Sequence, residues 1–261
     1  MSKTKIDQVF EKLKETGDKA FISYIMAGDG GLDNLKDQIK ELEEAGVDII
    51  ELGIPFSDPV ADGPVIQQAG IRALDAGVSL QKILDELKKI KDDINVPIVL
   101  MTYINPVLNI GYQAFAEDAR KSGVSGVILP DVPFEEEGEV STHLRDNDIA
   151  LVRLVTLTSD EERIRELAEG AEGFLYAVTV KGTTGGRTSF GEDTYELLEK
   201  IKGIADVPVC AGFGVSNREM AEALGRHCDG VIVGSKIVDM LHKGEEDGIK
   251  NLIPEKSNAV K

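Results

Sequence analysis

The chain has 261 residues, 42% of them hydrophobic and 29% charged, and this length fits one barrel-sized domain of about 250 residues. Its formal net charge of −18 repels phosphate backbones and anionic lipid, so nucleic acid and membrane surfaces are poor candidate partners. No apolar run approaches the roughly 18 residues that a membrane span needs, and the polar N-terminus lacks a signal-peptide core. These features predict a cytoplasmic protein.

The chain has two cysteines, Cys210 and Cys228, and their positions lack the spacing of metal ligands. Cys210 lies within an apolar run, 207–213, and is expected to be buried in a strand. We therefore predict two free structural thiols in a reducing compartment, and no metal site.

Short apolar runs rich in β-branched residues alternate along the chain with amphipathic segments. The eight runs are 21–27, 47–54, 97–103, 126–130, 150–157, 173–180, 207–213 and 230–233. Continuous rather than alternating apolar runs are typical of parallel strands that are buried on both faces. Helical spacing marks the segments 32–46, which ends at Gly46, 79–93, and 159–170, in which Ser159 is expected to cap the helix.

Eight strands that alternate with helices predict a parallel sheet, and the count of eight favours a closed (β/α)8 TIM barrel over an open doubly wound sheet. The segment 27–32 does not supply the GxGxxG fingerprint that would favour the open sheet. No low-complexity linker interrupts the chain, so residues 1–261 are predicted to form one domain. An extra N-terminal helix at 5–17 is expected to cover the bottom of the barrel.

Two carboxylates are candidates for acid–base chemistry at the C-terminal ends of the strands, where such barrels carry their active sites. Glu51 lies within the second run and shares a strand face with Ile49 and Gly53. It either enters the barrel or serves structurally, in a salt bridge or facing outward beneath a helix. The following turn-rich loop, 55–64, contains Asp58 and Asp62, and an aspartate there can also cap a helix or an Asx-turn.

Glycine-rich segments follow the last two strands and predict a phosphate site, because backbone N–H groups at a helix N-terminus hold anions. They are AGFGVS at 211–216 and VGSKIV at 233–238, and Gly214, Gly234 and Ser235 are the candidates. Ordinary glycine turns are the alternative. The long loop 181–193 after the sixth strand is expected to close over substrate as a lid, unless it has no function.

The string ELGIPFSDPVADGPVIQ at 51–67 closely resembles the signature of tryptophan synthase α subunits. LPDVPFEE at 129–136, KGTTGGR after strand 6 and the two glycine-rich segments follow in the family's order, so the resemblance spans nearly the whole chain. It implies a retro-aldol cleavage of indole-3-glycerol phosphate to indole and glyceraldehyde 3-phosphate. Glu51 would then be the proton shuttle and Asp62 the partner of the indole nitrogen, with no metal or organic cofactor in this chain.

The resemblance also implies a substrate site. The family's indole pocket maps onto Tyr24, Met101, Ile128, Leu154 and Tyr176, its lid threonine onto Thr184, and a further phosphate contact onto Gly185. Each pocket residue could equally be barrel packing. The family's usual pattern is not kept in the segment GDG at 28–30 or at Arg153, Leu157 and Lys181, and these departures bear on the edge of the indole pocket and on lid closure.

The family works as an α2β2 heterotetramer whose β subunit carries pyridoxal phosphate and receives indole. The resemblance places loop 55–64, Asp131 and the lid near that subunit. Alternatives are a free-standing indole-glycerol-phosphate lyase, an allosteric partner with negligible chemistry of its own, and another phosphate-binding barrel enzyme. A Schiff-base aldolase would need a lysine near a strand end, for which Lys181 and Lys236 are the nearest candidates.

Overall fold

The structure, a computed structural model, describes residues 5–156, 158–179, 191–212 and 214–257. Its strands are β1 (Ala20–Met26), β2 (Ile49–Gly53), β3 (Ile98–Met101), β4 (Val124–Ile128), β5 (Ala150–Leu151), β6 (Arg153–Thr156), β7 (Leu175–Val178), β8 (Val209–Gly212) and β9 (Gly230–Val233). All strand pairs are parallel, and the order around the sheet is β5-β4-β3-β2-β1-β9-β8-β7-β6. Each of the eight predicted runs overlaps a strand, and the run 150–157 covers both β5 and β6.

The two ends of this sheet meet within one stretch of chain. β5 pairs with β4, β6 pairs with β7, and only Val152 separates β5 from β6. The Val152 N–H continues the ladder by donating to the Val127 carbonyl over 2.9 Å. β5 and β6 are therefore two segments of one fifth barrel strand. This closure confirms the predicted (β/α)8 barrel.

Helices surround the strands on the outside. They are α1 (Lys5–Thr16), α2 (Leu35–Ala45), α3 (Pro64–Asp75), α4 (Leu80–Ile90), α5 (Ile104–Ile110), α6 (Tyr112–Lys121), α7 (Gly138–Asp146), α8 (Glu161–Ala168), α9 (Glu192–Ile204), α10 (Arg218–Gly225) and α11 (Ser235–Lys243). Short 3₁₀ turns add residues 32–34, 91–93, 134–136 and 246–251. Across the described part of the chain, no helix is both long enough and apolar enough to cross a membrane.

The predicted extra helix, α1, covers the N-terminal end of the barrel. Ile6 is fully buried, and its Cδ1 atom would lie 3.0 Å from a Cβ placed on Gly126 in β4. The ring of Phe10 lies 6.0 Å from that of Phe174, just before β7. Burial of side chains of this size contributes about 1.5–3 kcal/mol each. The helix therefore closes the bottom of the barrel and leaves the opposite end for the site.

Local sequence signals set the helix ends. Gly46 adopts the left-handed conformation (φ 105°) that glycine tolerates best, and its N–H donates to carbonyls in the last turn of α2. Ser79 caps α4, whose predicted apolar face is buried along its length. The cap of α8 is Asp160 rather than Ser159, because the Asp160 carboxylate accepts the Arg163 N–H over 2.9 Å. Both Cys210 and Cys228 are free and buried, as predicted.

Arg153 points away from the barrel interior. Its guanidinium donates to the Glu137 carboxylate over 3.0 Å and to the carbonyls of Leu167 and Glu169 over 3.0 and 2.7 Å. It also lies over the Phe134 ring, 4.7 Å from the centroid. This departure from the family pattern therefore ties the fifth strand to the outer helices and their adjoining turns. The departures at 157 and 181 lie outside the described residues, whereas GDG at 28–30 lies within them, shortly after β1.

Arg153→Met should lower the free energy of unfolding by about 3 kcal/mol, because it leaves the Glu137 carboxylate buried without its partner. Urea unfolding would measure the loss. The double variant Arg153→Met with Glu137→Gln should recover part of it, because no unpaired charge then remains. A loss below about 0.5 kcal/mol in the single variant would contradict this account.

Candidate active site

A cavity of about 370 Å³ opens at the C-terminal end of the strands, where barrels of this type bind their substrates. It contains eight of the predicted site residues: Tyr24, Glu51, Asp62, Met101, Tyr176, Gly214, Gly234 and Ser235. The fold thus brings together residues that are up to 211 positions apart in the chain. Among the described residues, no group of three or more His, Cys, Asp or Glu side chains is arranged to hold a metal ion.

Glu51 enters the cavity from the middle of β2. It pairs in register with Tyr24 of β1, only 2% of the residue is exposed, and no lysine or arginine of the described chain pairs with it. One of its carboxylate oxygens has no hydrogen-bond partner among these residues. Burial, reinforced by the charge of Asp62, raises the pKa of Glu51 to about 8. Its carboxyl group therefore holds a proton at neutral pH.

Asp62 reaches the same cavity from the loop between β2 and α3. Its N–H donates to the Pro59 carbonyl over 3.1 Å, and its own carbonyl accepts the Gln67 side-chain amide over 2.9 Å. The other loop carboxylate, Asp58, is exposed and accepts from the Ser57 hydroxyl. The loop therefore separates its two aspartates, with one in the cavity and one on the surface.

The electrostatic environment of Asp62 differs from that of Glu51. Partial burial raises the pKa of Asp62 to about 6, while a hydrogen bond from Tyr103 acts in the opposite direction. At neutral pH the cavity consequently holds one neutral carboxylic acid and one carboxylate. Two such groups with pKa values pushed apart are the usual means by which an enzyme assigns one as proton donor and the other as anion.

Two tyrosine rings occupy space that glycines leave open at the strand ends. A Cβ on Gly53 would lie 2.0 Å from the Tyr24 hydroxyl, and one on Gly212 would lie 2.4 Å from the Tyr176 hydroxyl. Both distances are far below van der Waals contact, so no larger residue fits without displacing a tyrosine. The rings, with Met101, give the cavity flat apolar walls.

A second part of the cavity lining is suited to an anion. Gly214 adopts a left-handed φ of 88°, and Ser235 begins α11, whose first-turn N–H groups have no intrahelical acceptor. Lys236 is the one lysine or arginine among the described residues that line the cavity. Asp239 lies one turn later on the same helix face. The N–H groups and the ammonium together favour a phosphate over a neutral group.

The remaining predicted residues lie elsewhere. Ile128 is fully buried on β4, paired with Met101, and does not line this cavity. Leu154 pairs in register with Tyr176 but lines a neighbouring cavity of about 270 Å³. Thr184 and Gly185, with residues 181–190 of the predicted lid, lie outside the described residues.

Sequence reasoning missed several cavity residues. Val65 and Ile66 face it from the first turn of α3, and Ser216, Ile232 and Asp239 from the last two strand ends and α11. Tyr103, whose hydroxyl accepts the Ala61 N–H beside Asp62, was also missed. Its position at the end of the third apolar run was the available signal, since strand ends carry the site in this fold.

A (β/α)8 barrel with a buried acid, a carboxylate, apolar walls and an anion-binding end defines an acid–base enzyme for a phosphorylated substrate with an apolar ring. The family model of the tryptophan synthase alpha chain matches residues 10–260. The alpha chain of Oceanobacillus iheyensis is 52% identical over 98% of this chain and 97% of its own, and that of Bacillus cereus is 50% identical over 93% and 95%. The chain belongs to the tryptophan synthase alpha chain family.

Solved structures agree with this assignment. A tryptophan synthase structure from Mycobacterium tuberculosis superposes with a TM-score of 0.87 at 31% identity, covering 96% of this chain and 98% of that one. Tryptophan synthase subunit alpha from Legionella pneumophila superposes with a TM-score of 0.82 at 33% identity, covering 94% and 92%. The chain is thus a carbon–carbon lyase that cleaves indole-3-glycerol phosphate, and its partner is the β subunit of an α2β2 heterotetramer, to which indole passes.

Glu51→Gln should remove a pH dependence of stability. The fold raises the pKa of Glu51 from 4.5 to about 8, so it favours the protonated form. The stability that depends on that proton is complete at low pH and is lost as pH rises through 8. Between pH 6 and pH 9 the melting temperature of the wild type should therefore fall by at least about 3 °C more than that of the variant. Exposed Glu139→Gln is the matched control, and equal slopes for wild type and Glu51→Gln would refute the assignment.

Proposed function

We propose that Glu51 and Asp62 together perform the cleavage, Glu51 as the proton shuttle and Asp62 as the anchor of the indole nitrogen. The observation that carries this proposal is the presence of both carboxyl groups in one cavity with their pKa values near 8 and near 6. Cleavage requires an acid before the carbon–carbon bond breaks and an anion beside the ring nitrogen. A neutral Glu51 and an ionised Asp62 satisfy both requirements near neutral pH.

The proton movements balance with these two groups. Protonated Glu51 donates to C3 of the indole ring, and Asp62 accepts the N–H as the C2=N bond forms. Glu51, now a carboxylate, removes the proton from the glycerol hydroxyl next to the ring. The carbon–carbon bond then breaks, its electrons return to the ring, and Asp62 returns the nitrogen proton. Indole and glyceraldehyde 3-phosphate leave, and Glu51 is again protonated.

The indole ring is proposed to lie between Tyr24, Met101 and Tyr176, with Ile128 and Leu154 at its edge. The apolar walls of the cavity support the first three positions. The phosphate is proposed to bind Gly214, Gly234 and Ser235 together with Gly185, and Thr184 to approach Asp62 when the lid closes. The ammonium of Lys236 would offset part of the phosphate charge in a chain whose net charge is −18.

We also propose that residues 1–261 act as one domain in the cytoplasm and that this chain needs no cofactor of its own. The two carboxyl groups supply every proton transfer in the steps above, so the proposed chemistry calls for no further group. Pyridoxal phosphate would act in the β subunit, where indole is joined to serine.

Asp62→Asn and Glu51→Gln should each lower kcat for indole release by at least about 100-fold, because each removes a group that moves or stabilises a proton. The measurement is indole release from indole-3-glycerol phosphate by the isolated chain. Asp58→Asn is the matched control, since Asp58 is exposed on the same loop, and its rate should stay within about threefold. Near-normal rates in both cavity variants would disprove the assignment.

The pH dependence of kcat/KM should be bell-shaped, because the active form has Asp62 ionised and Glu51 protonated. Activity should rise as pH passes about 6 and fall as pH passes about 8, with an optimum between those values. The profile belongs to the pair of carboxyl groups, since their charges interact. A rate that continues to increase above pH 9 would be incompatible with a protonated Glu51 as the initial acid.

A further inference from the structure

Tyr103 joins three of the loops that surround the cavity. It follows β3, is 4% exposed, and its ring stacks on Phe56 of the preceding loop with centroids 5.1 Å apart and planes 28° apart. Its hydroxyl oxygen accepts the Ala61 N–H over 3.0 Å. The next residue, Ile104, donates its N–H to both carboxylate oxygens of Asp131 over 3.1 Å. The loops after β2, β3 and β4 therefore meet at Tyr103 and Ile104.

The hydrogen bond from Ala61 determines what the Tyr103 hydroxyl can do next. A hydroxyl that accepts an N–H still has its own proton to donate. The Tyr103 hydroxyl lowers the pKa of Asp62, one residue further along the loop, and the Asp62 carboxylate raises the pKa of Tyr103. The same side chain thus binds the backbone before Asp62 and stabilises the charged form of the Asp62 carboxylate.

The other ionisable groups near Asp62 in the described chain do not lower its pKa as Tyr103 does. Glu51 on β2, Tyr24 on β1 and Tyr176 on β7 are acidic groups buried in the same cavity, and their charged forms would repel the carboxylate. Asp131 lies behind Tyr103, and Lys236 lines the cavity from α11. In the described chain, no lysine or arginine forms an ion pair with Asp62.

We propose that Tyr103 is a positioning residue, whose hydroxyl holds the Ala61–Asp62 segment so that the Asp62 carboxylate faces the indole nitrogen. The inference rests on the proposed role of Asp62 and adds the group that holds it in place. Tyr103 is not among the residues that line the cavity, so it acts through Asp62 rather than on the substrate. Its own place is set by β3 and by the Asp131 contact, which lie outside loop 55–64.

Tyr103→Phe tests the proposal because it keeps the ring and its stacking on Phe56 and removes only the hydroxyl. Loss of the donor should raise the pKa of Asp62, so the acid limb of the kcat/KM profile should move up by about half to one pH unit. At the optimum kcat should fall about 10-fold while KM changes less than about threefold, as expected for an interaction that matters in the transition state. Tyr112→Phe, on α6, is the matched control and should change neither quantity.

A double variant separates this inference from the proposed function. If Tyr103 acts through Asp62, Tyr103→Phe combined with Asp62→Asn should be no slower than Asp62→Asn alone. The positioning role would be overturned if the rate losses of the two single variants multiplied in the double variant. It would also be overturned if the acid limb of the kcat/KM profile did not move in Tyr103→Phe. Neither result would contradict the proposed role of Asp62. Near-normal turnover of Asp62→Asn would instead refute the proposed function itself. Thermal unfolding of each variant would show whether a rate loss arises from misfolding. The acid limb of the kcat/KM profile, measured on the folded fraction of Tyr103→Phe, then decides whether Tyr103 is a positioning residue.

Discussion

The uncompensated burial of the Glu51 carboxyl group is the constraint on which the site depends. Parallel barrel strands are covered on both faces, and a carboxylate placed on one costs several kcal/mol unless it is paired or protonated. No cation of the described chain pairs with Glu51, so its pKa rises to about 8. The fold thereby keeps a protonated carboxyl group in the middle of β2, where it lines an apolar cavity and can donate to a ring carbon.

The second carboxylate is held by different means, and this difference makes the pair useful. Asp62 lies on a loop, where backbone contacts to Pro59 and Gln67 and the hydroxyl of Tyr103 limit its movement. Around Glu51 the sheet uses the backbone N–H groups, and one carboxylate oxygen of Glu51 has no hydrogen-bond partner among the described residues. The site thus combines a rigid, dry acid with a better solvated anion, and the substrate would lie between the two.

Much of the barrel could be predicted from local patterns, and the exceptions have physical reasons. The run 150–157 predicted one strand, but the structure divides it at Val152, because each segment pairs with a different neighbour where the sheet closes. The sequence left open whether Arg153 borders the indole pocket. Successive side chains on a strand point to opposite faces of the sheet, so Arg153 and Leu154 lie on different faces. Only the structure showed, through the contact of Arg153 with Glu137, that Arg153 lies on the outer face.

The sequence alone determined the alternation of strands and helices, the carboxylate on the second strand, and the glycines that end the last two strands. These depend on spacing within a few residues, as does the signature at 51–67 that carried the resemblance. Only the tertiary structure decided which loop aspartate faces the cavity, that Leu154 lines a neighbouring cavity, and that the Tyr103 hydroxyl binds the Ala61 N–H beside Asp62. Such contacts join residues about 40 positions apart, and their geometry follows from strand register and barrel closure, which no local pattern specifies.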